Sequence, residues 1–280
     1  MPEYEDRLIL FIDFLGFKEH VDHTIDDPTF LDRLVHALET LREVGMEQEV
    51  FPSQQMTHFS DSVALSFRID ERSAVFWMLT QIRLAIFNLA GEGFLVRGAV
   101  TAGPLYHTSE ILVGPAMVRA YQLESRIAVF PRVLIDPAVI EIARVHRSSI
   151  HHADDEEQYV RSGLAMAEDE WLWIDYISYE AYESAGAETD EYPFYLERIG
   201  QMIAAGLGHS STSVVRKHVW LHPCYVGQIE LFESIGPQED ETMEAQRSYV
   251  ANLPTFASEM ADALARIAAE DALQAAAANI

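Results

Sequence analysis

Two aspartates occupy places in this chain where carboxylates could do chemistry together. Asp13 closes a short apolar run, RLILFIDF, and Asp61 lies in a Ser-Asp-Ser segment between two further apolar runs. Carboxylate oxygens are the ligands that hard cations such as Mg²⁺ and Mn²⁺ prefer. An aspartate after a strand is also an ordinary turn or cap residue. The pair therefore predicts a cation site only if the fold brings the two side chains together.

A glycine and a helix start follow the first aspartate directly. The chain continues Phe14-Leu15-Gly16-Phe17, and helical patterning begins at Phe17. Gly16 permits another group to approach the backbone closely, and the free N–H groups of a helix N-terminus bind phosphate. The segment between the two aspartates thus predicts a phosphate-binding element beside the cation site.

The chain is strongly acidic. It has 19 Lys and Arg against 45 Asp and Glu, a formal net charge of −26 at pH 7. Such a surface repels nucleic-acid backbones and anionic lipids, so we expect no nucleic-acid partner and no membrane. A phosphorylated substrate would need metal ions to screen its charge, which agrees with a cation site at the aspartates.

The elements that position these residues alternate between strands and helices. The second and third strands are separated only by residues 60–62, which predicts a hairpin. A hairpin among alternating strands and helices predicts an α+β, ferredoxin-like fold with a central, mostly antiparallel sheet flanked by helices. The first strand then lies beside the hairpin, which brings Asp13 and Asp61 to one edge. Strand patterns cover 7–14, 54–59, 63–67, 94–101 and 132–135, with a break at 103–104, and helix patterns cover 17–21, 28–44, 71–90 and 114–127.

The pattern changes after residue 145. Residues 146–170 are polar and acidic, which predicts an exposed connection, and a strand-like run and helices follow. We therefore expect a core at 1–145 and a mainly helical C-terminal extension at 146–280. The single cysteine, Cys224, excludes an internal disulfide and fits a reducing compartment. Because the acidic N-terminus is unlike a secretory signal and no long uncharged apolar run occurs, we expect a cytoplasmic location.

Four segments resemble the motifs of class III nucleotidyl cyclases. The order and spacing of the four segments follow that family across roughly residues 7 to 136. F-I-D-F-L-G-F resembles the first metal motif, and F-S-D-S resembles the hairpin turn with the second metal aspartate. V-R-G-A-V-T-A-G resembles a strand with Arg at its start, and G-P-A-M-V-R-A-Y-Q-L-E-S resembles the helix that ends in Glu-Ser. The segments occupy residues 11–17, 59–62, 96–103 and 114–125.

The resemblance implies a class III cyclase core and roles for individual residues. Asp13 and Asp61, with the Phe14 carbonyl, would hold two Mn²⁺ or Mg²⁺ ions. Arg97 matches a residue that contacts the triphosphate. Gly16 and Phe17 would lie at the nucleotide.

The helix that resembles the family departs from it at two positions. Val118 stands where these cyclases usually have the transition-state Asn, and Gln122 stands where they usually have Arg. Gln122 carries no charge, so we expect Arg119 to supply the arginine, from the second subunit of a dimer.

The position of the purine-reading Lys is also changed. Thr57, four residues before Asp61, occupies it and would contact the base, with Tyr121 as a further candidate. Together these departures resemble the pyrimidine cyclases of the Pycsar antiphage systems. That resemblance implies a homodimer that makes a cyclic pyrimidine nucleotide, from UTP in preference to CTP, to activate a partner effector.

Several alternatives remain open from the sequence. The chain could be a purine cyclase, or a degenerate cyclase-like nucleotide-binding module without activity. Arg97 could be a structural strand-end pair, and Arg119 could form a surface salt bridge with Glu124 or with a partner chain. His151-His152 beside acidic residues could bind metal but is more typical of a solvated loop. The Gly-rich segment 206–213 lacks the Gly-Lys-Ser/Thr of a phosphate loop and is more typical of a helix break.

Overall fold

The computed structural model describes residues 1–44 and 52–278 of the chain. They form two compact units, of which the first is Met1–Tyr176 and the second begins at Ile177.

An eight-stranded sheet organises the first unit. Its order is β2-β3-β1-β4-β6-β8-β7, and β5 pairs with β4 off this path. The β4–β6 pair is parallel and the other pairs are antiparallel. The strands are β1 Glu5–Phe14, β2 Gln55–Phe59, β3 Ser62–Arg68, β4 Val96–His107, β5 Leu112–Val113, β6 Val133–Ile135, β7 Leu164–Met166 and β8 Leu172–Ile174.

Six helices belong to this described unit. Helices α2 and α3 pack on each other, whereas α4 packs on β1 and β4. The helices are α1 Phe17–Asp26, α2 Pro28–Glu43, α3 Ala74–Glu92, α4 Pro115–Arg126, α5 Pro137–Val145 and α6 Ala153–Arg161.

Strand β1 lies at the centre of the sheet and is buried on both faces. Ile9 and Phe11 form a core cluster with Ala120 of α4, while Leu8 and Leu10 point to the opposite face and are also buried. A strand that is buried on both faces has a continuous run of apolar residues, and the sequence of β1 has such a run. The path β1, α1–α2, β2–β3, α3, β4 with the order β2-β3-β1-β4 is ferredoxin-like. The predicted α+β class and the central place of the first strand are confirmed.

Strand β4 does not end where the sequence predicted a break. Gly103 and Pro104 continue the antiparallel ladder opposite Arg7 and Asp6 of β1, and the strand runs on to His107. The predicted break at 103–104 is therefore wrong. The long-range pairing with β1 overrides the local turn signal of Gly-Pro.

The sheet also extends beyond the expected core. Strand β8 pairs with β6, with Trp173 opposite Leu134, and β7 adds to its outer edge. The segment 146–170, expected as an exposed connection, contains α6 and β7. The compact units divide after Tyr176, whereas the sequence pattern placed the division after 145. The reason is that Trp173 and Ile174 are buried in the sheet.

The second unit is helical. Helix α9 contacts α8, α10 and α11, and its Leu221 and Tyr225 are fully buried. The Tyr225 hydroxyl donates to the Pro254 carbonyl at 3.0 Å. The helices are α7 Tyr179–Ser184, α8 Tyr192–Leu207, α9 Thr212–Ile235, α10 Glu241–Ala251 and α11 Ala257–Ala278, and a 3₁₀ turn at Thr189–Glu191 precedes α8.

One helix among the described residues could cross a membrane by length and composition alone. It is α3, Ala74–Glu92, and 61% of its most apolar window is buried within the fold. A mostly buried helix of this kind is also what the core of a soluble protein contains. Arg83 lies within this helix, so its apolar run is not uncharged, as expected from the sequence.

Candidate active site

The fold brings the two candidate aspartates to one end of the sheet. Asp13 lies near the end of β1, opposite Ser62 of β3, and Asp61 is in the turn that precedes Ser62. The Phe14 N–H donates to the Asp61 carbonyl at 3.2 Å, which ties the strand end to the turn. The sequence predicted this juxtaposition from the hairpin and from the order of the strands and helices.

Asp61 is close enough to Asp13 to affect the pKa of the Asp13 carboxyl. Burial raises the pKa of Asp13, and the neighbouring charge of Asp61 raises it further. The guanidinium of Arg97 opposes both effects. A cation bound between the two carboxylates would reduce the repulsion between their negative charges.

Arg97 lies between two acidic side chains. Its Nη2 is 3.3 Å from Asp13 Oδ2, and its Nε is 2.6 Å from Glu124 Oε1, although the latter pair lacks the alignment of a hydrogen bond. Glu124 of α4 is buried, and burial raises its pKa while Arg97 lowers it. Arg97 therefore links β4, β1 and α4, which agrees with the alternative that it is a structural pair at a strand end. Its expected contact with a triphosphate stays a prediction.

Arg119 has a different partner from the one considered in the sequence. Its Nε donates to Asp136 Oδ2 at 3.1 Å, and the Thr101 hydroxyl donates to the same oxygen at 3.0 Å. Arg119 is about half exposed, on the solvent side of α4. Of the alternatives left open by the sequence, the salt bridge with Glu124 is not formed, because Arg119 pairs with Asp136. The exposed position leaves the guanidinium accessible to another chain.

The loop after Asp13 leads into α1 through Gly16. Gly16 caps α1 with φ 75° and ψ 21°, a left-handed conformation that favours glycine, and no side chain caps this helix end. Phe14 is buried against Phe94, and Phe17 lies beside Phe14. The first N–H groups of α1 therefore point out of a helix that begins next to the two aspartates.

The donor set suits oxygen-preferring cations. Two carboxylates and a strand-end carbonyl are hard ligands that match Mg²⁺ or Mn²⁺ and not Zn²⁺. Within residues 1–44 and 52–278, no group of three or more His, Cys, Asp or Glu side chains comes together. The residues present fit the expected ions, with the Phe14 carbonyl and substrate oxygens needed to complete the coordination.

Thr57, the expected base reader, is hydrogen bonded within the chain. It lies on β2 opposite Ala64, which in turn is opposite Phe11, so Thr57 shares the sheet face of Phe11 and Asp13. Its Oγ1 is 2.9 Å from His107 Nε2. Tyr121 is exposed on α4 and packs edge-on against Phe11 with ring centroids 6.1 Å apart.

His107 is a residue that the sequence interpretation missed. It is buried at the end of β4, and its Nδ1 is 2.8 Å from Ser66 Oγ. Arg7, also buried, donates from Nε to the same hydroxyl at 2.9 Å. Burial, with a smaller effect of the Arg7 charge, lowers the pKa of His107 to about 4. No sequence signal pointed to His107, because the predicted strand ended at residue 101 and His107 lies six residues beyond that end.

The depressed pKa of His107 predicts acid sensitivity. Between about pH 6.5 and pH 4 the unfolded chain binds a proton that the folded His107 does not, so the free energy of unfolding falls as pH falls through this window. The full shift corresponds to on the order of 3 kcal/mol. Urea titrations from pH 7.5 to 4 should show a flatter pH dependence for His107→Gln than for the unmodified protein. An equally steep pH dependence in His107→Gln would show that other groups cause the acid sensitivity.

Two other candidate clusters have structural explanations. His152 caps α6 in a reciprocal capping box with Asp155, and His151 Nδ1 is 2.6 Å from the buried Glu156 carboxylate. Gly206 lies in the last turn of α8, where an added Cβ would collide with the His218 ring. Neither arrangement is a metal or phosphate site in its geometry.

Comparison with known proteins gives weak structural similarities only. No protein-family model and no curated protein matches the chain. The monomeric guanylyl cyclase domain of the RhoGC fusion protein from Blastocladiella emersonii is 15% identical, with a TM-score of 0.39, 61% of this chain and 95% of that chain being covered. A bacterial light-regulated adenylyl cyclase is 14% identical, with a TM-score of 0.40, covering 72% and 100%. An adenylate/guanylate cyclase/hydrolase from Silicibacter pomeroyi is 15% identical, with a TM-score of 0.38, covering 62% and 98%.

Proposed function

We propose that this protein is a nucleotidyl cyclase that converts a pyrimidine nucleoside triphosphate into its 3′,5′-cyclic monophosphate and pyrophosphate. The observation that carries the proposal is the convergence of Asp13 and Asp61 at the end of a ferredoxin-like sheet, beside the uncapped start of α1. The four motifs that resemble class III cyclases support this reaction. They lie at the end of β1, in the β2–β3 turn, on β4 and on α4.

The reaction needs charge neutralisation at the phosphates. The ribose 3′-oxygen attacks the α-phosphorus and pyrophosphate leaves, and divalent ions, when bound, acidify the 3′-hydroxyl and screen the triphosphate. In the proposal Asp13, Asp61 and the Phe14 carbonyl hold these Mn²⁺ or Mg²⁺ ions. Gly16 and Phe17 present backbone N–H groups to phosphate oxygens.

The arginines have separate proposed tasks. Arg97 bridges Asp13 and Glu124, so it orients the metal-binding carboxylate and reaches the triphosphate from the same place. Arg119 is exposed on α4 and stabilises charge in the site of a second subunit. Exchange of one exposed salt bridge for a phosphate contact costs little, because such pairs contribute about 0–1 kcal/mol.

A homodimer is part of the proposal. Large apolar side chains are exposed around α4 and β5, which is unusual for a surface that stays in water. They are Ile111, Val113, Val118 and Tyr121, between 49% and 56% exposed. A two-fold contact over this surface would bury them and give two equivalent sites, each completed by the partner's α4.

The biological role follows the resemblance to antiphage pyrimidine cyclases. In that role a cytoplasmic cyclase makes a second messenger, and the cyclic product, rather than the protein itself, activates the effector. The two alternatives are a purine cyclase and an inactive nucleotide-binding module. Thr57 in place of the purine-reading Lys disfavours a purine cyclase. The paired aspartates disfavour an inactive module.

Incubation with each of four nucleoside triphosphates and Mn²⁺ tests the function and its substrate class. We expect cyclic UMP to form faster than cyclic CMP, and both much faster than cyclic AMP or cyclic GMP. Lost or unpaired contacts at a base edge cost about 1–3 kcal/mol each, which gives a preference of roughly ten- to hundredfold. Chromatographic resolution of products from an equimolar mixture measures the preference in one reaction. A cyclic purine as main product would show that the substrate class is wrong, and no cyclic product from any triphosphate would contradict the enzyme assignment.

A further inference from the structure

A line of hydrogen bonds crosses four strands and ends at Thr57. Arg7 Nε donates to Ser66 Oγ at 2.9 Å, Ser66 Oγ lies 2.8 Å from His107 Nδ1, and His107 Nε2 lies 2.9 Å from Thr57 Oγ1. Arg7, Ser66 and His107 are 2%, 0% and 6% exposed, whereas Thr57 is half-buried. Thr57 is therefore the most exposed member of the line.

The direction of these bonds is fixed at the Arg7 end. A guanidinium can only donate, so Ser66 Oγ accepts from Arg7. The Ser66 O–H proton must then go to an acceptor, and the nearest one is His107 Nδ1. The imidazole is neutral at physiological pH because burial lowers its pKa to about 4. A neutral ring that accepts at Nδ1 carries its proton on Nε2 and donates it to Thr57 Oγ1.

The opposite tautomer leaves a buried donor unpaired. If His107 carried its proton on Nδ1, Ser66 Oγ would accept from both Arg7 and His107. Its own O–H would then have no acceptor among the described residues, although Ser66 is fully buried. An unpaired buried hydroxyl is unfavourable, so the line runs in one direction from Arg7 to Thr57.

We propose that His107 is a positioning residue that holds the Thr57 hydroxyl as a hydrogen-bond donor toward the base of the nucleotide. Because Thr57 Oγ1 accepts from His107, its remaining O–H is directed away from that ring and toward solvent or ligand. This inference rests on the proposed function, in which Thr57 contacts the base, and it names the base chemistry that this contact selects.

A fixed donor distinguishes the two pyrimidines. Position 4, opposite the ribose-bearing ring nitrogen, projects farthest from the sugar. Uracil carries a carbonyl acceptor there, and cytosine carries an amino donor. A donor facing the uracil O4 forms a hydrogen bond, whereas a donor facing the cytosine amino group meets another donor. The Arg7–Ser66–His107–Thr57 line therefore selects UTP over CTP.

The tautomer can be measured without any enzymatic activity. Long-range ¹H–¹⁵N correlation spectra of ¹⁵N-histidine-labelled protein at pH 7 separate the two neutral forms, and the His107→Gln spectrum assigns the signal. We expect His107 protonated on Nε2 and unprotonated on Nδ1. A proton on Nδ1 would overturn the proposal, whether or not the protein is a cyclase.

Selectivity is measured in a double-mutant cycle of Thr57→Val, His107→Gln and the combined variant. The ratio of UTP to CTP kcat/KM, and the affinity ratio of the unreactive 3′-deoxy triphosphates, should each fall by about tenfold or more in both single variants. If His107 acts through Thr57, the combined variant should have the same two ratios as Thr57→Val alone. Tyr106→Phe removes a hydroxyl from the next position of β4, whose side chain faces the opposite side of the sheet, and it should leave both ratios unchanged.

The outcomes separate this inference from the proposed function. Cyclisation with a UTP/CTP ratio that His107→Gln leaves unaltered would refute the positioning role and keep the cyclase. The protein could also form no cyclic product while Thr57→Val and His107→Gln both lower the UTP/CTP affinity ratio of the 3′-deoxy triphosphates. That result would support the positioning role of His107 and contradict the cyclase assignment. Additive effects in the combined variant, or no nucleotide binding at all, would overturn the inference.

Discussion

Replacement of Asp13 or Asp61 by alanine is expected to reduce the cyclisation of UTP by at least about a thousandfold. Each variant removes one of the two carboxylates that meet at the end of β1 and the β2–β3 turn. The remaining carboxylate cannot hold a pair of ions, so charge on the phosphates stays unscreened. The measurement is the rate of cyclic UMP formation at saturating Mn²⁺.

The same substitution at Asp13 should not destabilise the fold. Burial and Asp61 raise the Asp13 pKa, so its ionised form opposes folding at neutral pH, and Arg97 keeps Glu124 as a partner after the substitution. We therefore expect an unchanged or higher melting temperature for Asp13→Ala together with lost activity. Asp70→Ala, which removes an exposed carboxylate paired with Arg68, is the control and should retain full activity. Near-normal turnover in either site variant would show that the aspartates do not form the metal site.

Mixing two inactive variants is expected to restore activity. Asp13→Ala damages the metal side of a site, and Arg119→Ala damages the α4 side that a partner subunit contributes. Random exchange of equal amounts makes half of the dimers mixed, and each mixed dimer has one intact site. Recovery should therefore approach about a quarter of the unmodified activity. The assay is cyclic UMP formation after subunit exchange confirmed with differently tagged chains.

A second mixture is the matched control for this experiment. Asp13→Ala and Asp61→Ala both damage the metal side, so every site in their mixed dimer lacks one carboxylate. This mixture should stay inactive after the same exchange. Equal recovery in both mixtures, or none in the first, would rule out sites shared between subunits with Arg119 on the partner side.

The end of the sheet where Asp13 and Asp61 meet could be predicted from sequence because its signals are local. The apolar run before Asp13, the glycine at position 16 and the short turn at Asp61 each report on neighbouring residues. Together with the alternation of elements they predict the ferredoxin-like order that the sheet shows.

The partners of the polar side chains could not be predicted in the same way. Arg97 meets Glu124 and Arg119 meets Asp136 across separations set by how α4 lies on the sheet. His107 is paired with Thr57, 50 residues earlier in the chain, and the pair forms only because β4 continues past Gly103 and Pro104. Register, which local propensity does not encode, decides these contacts.

The buried His107 also limits which side chains fit at position 57. A charged lysine at position 57 would have no acceptor lone pair. It would place an ammonium group against the His107 Nε2–H, so that two donors face each other at the edge of the core. A change of specificity by one substitution therefore passes through a less stable protein. In the proposed function, an evolutionary or engineered route to purines through a lysine at position 57 has to alter His107 before, or together with, Thr57.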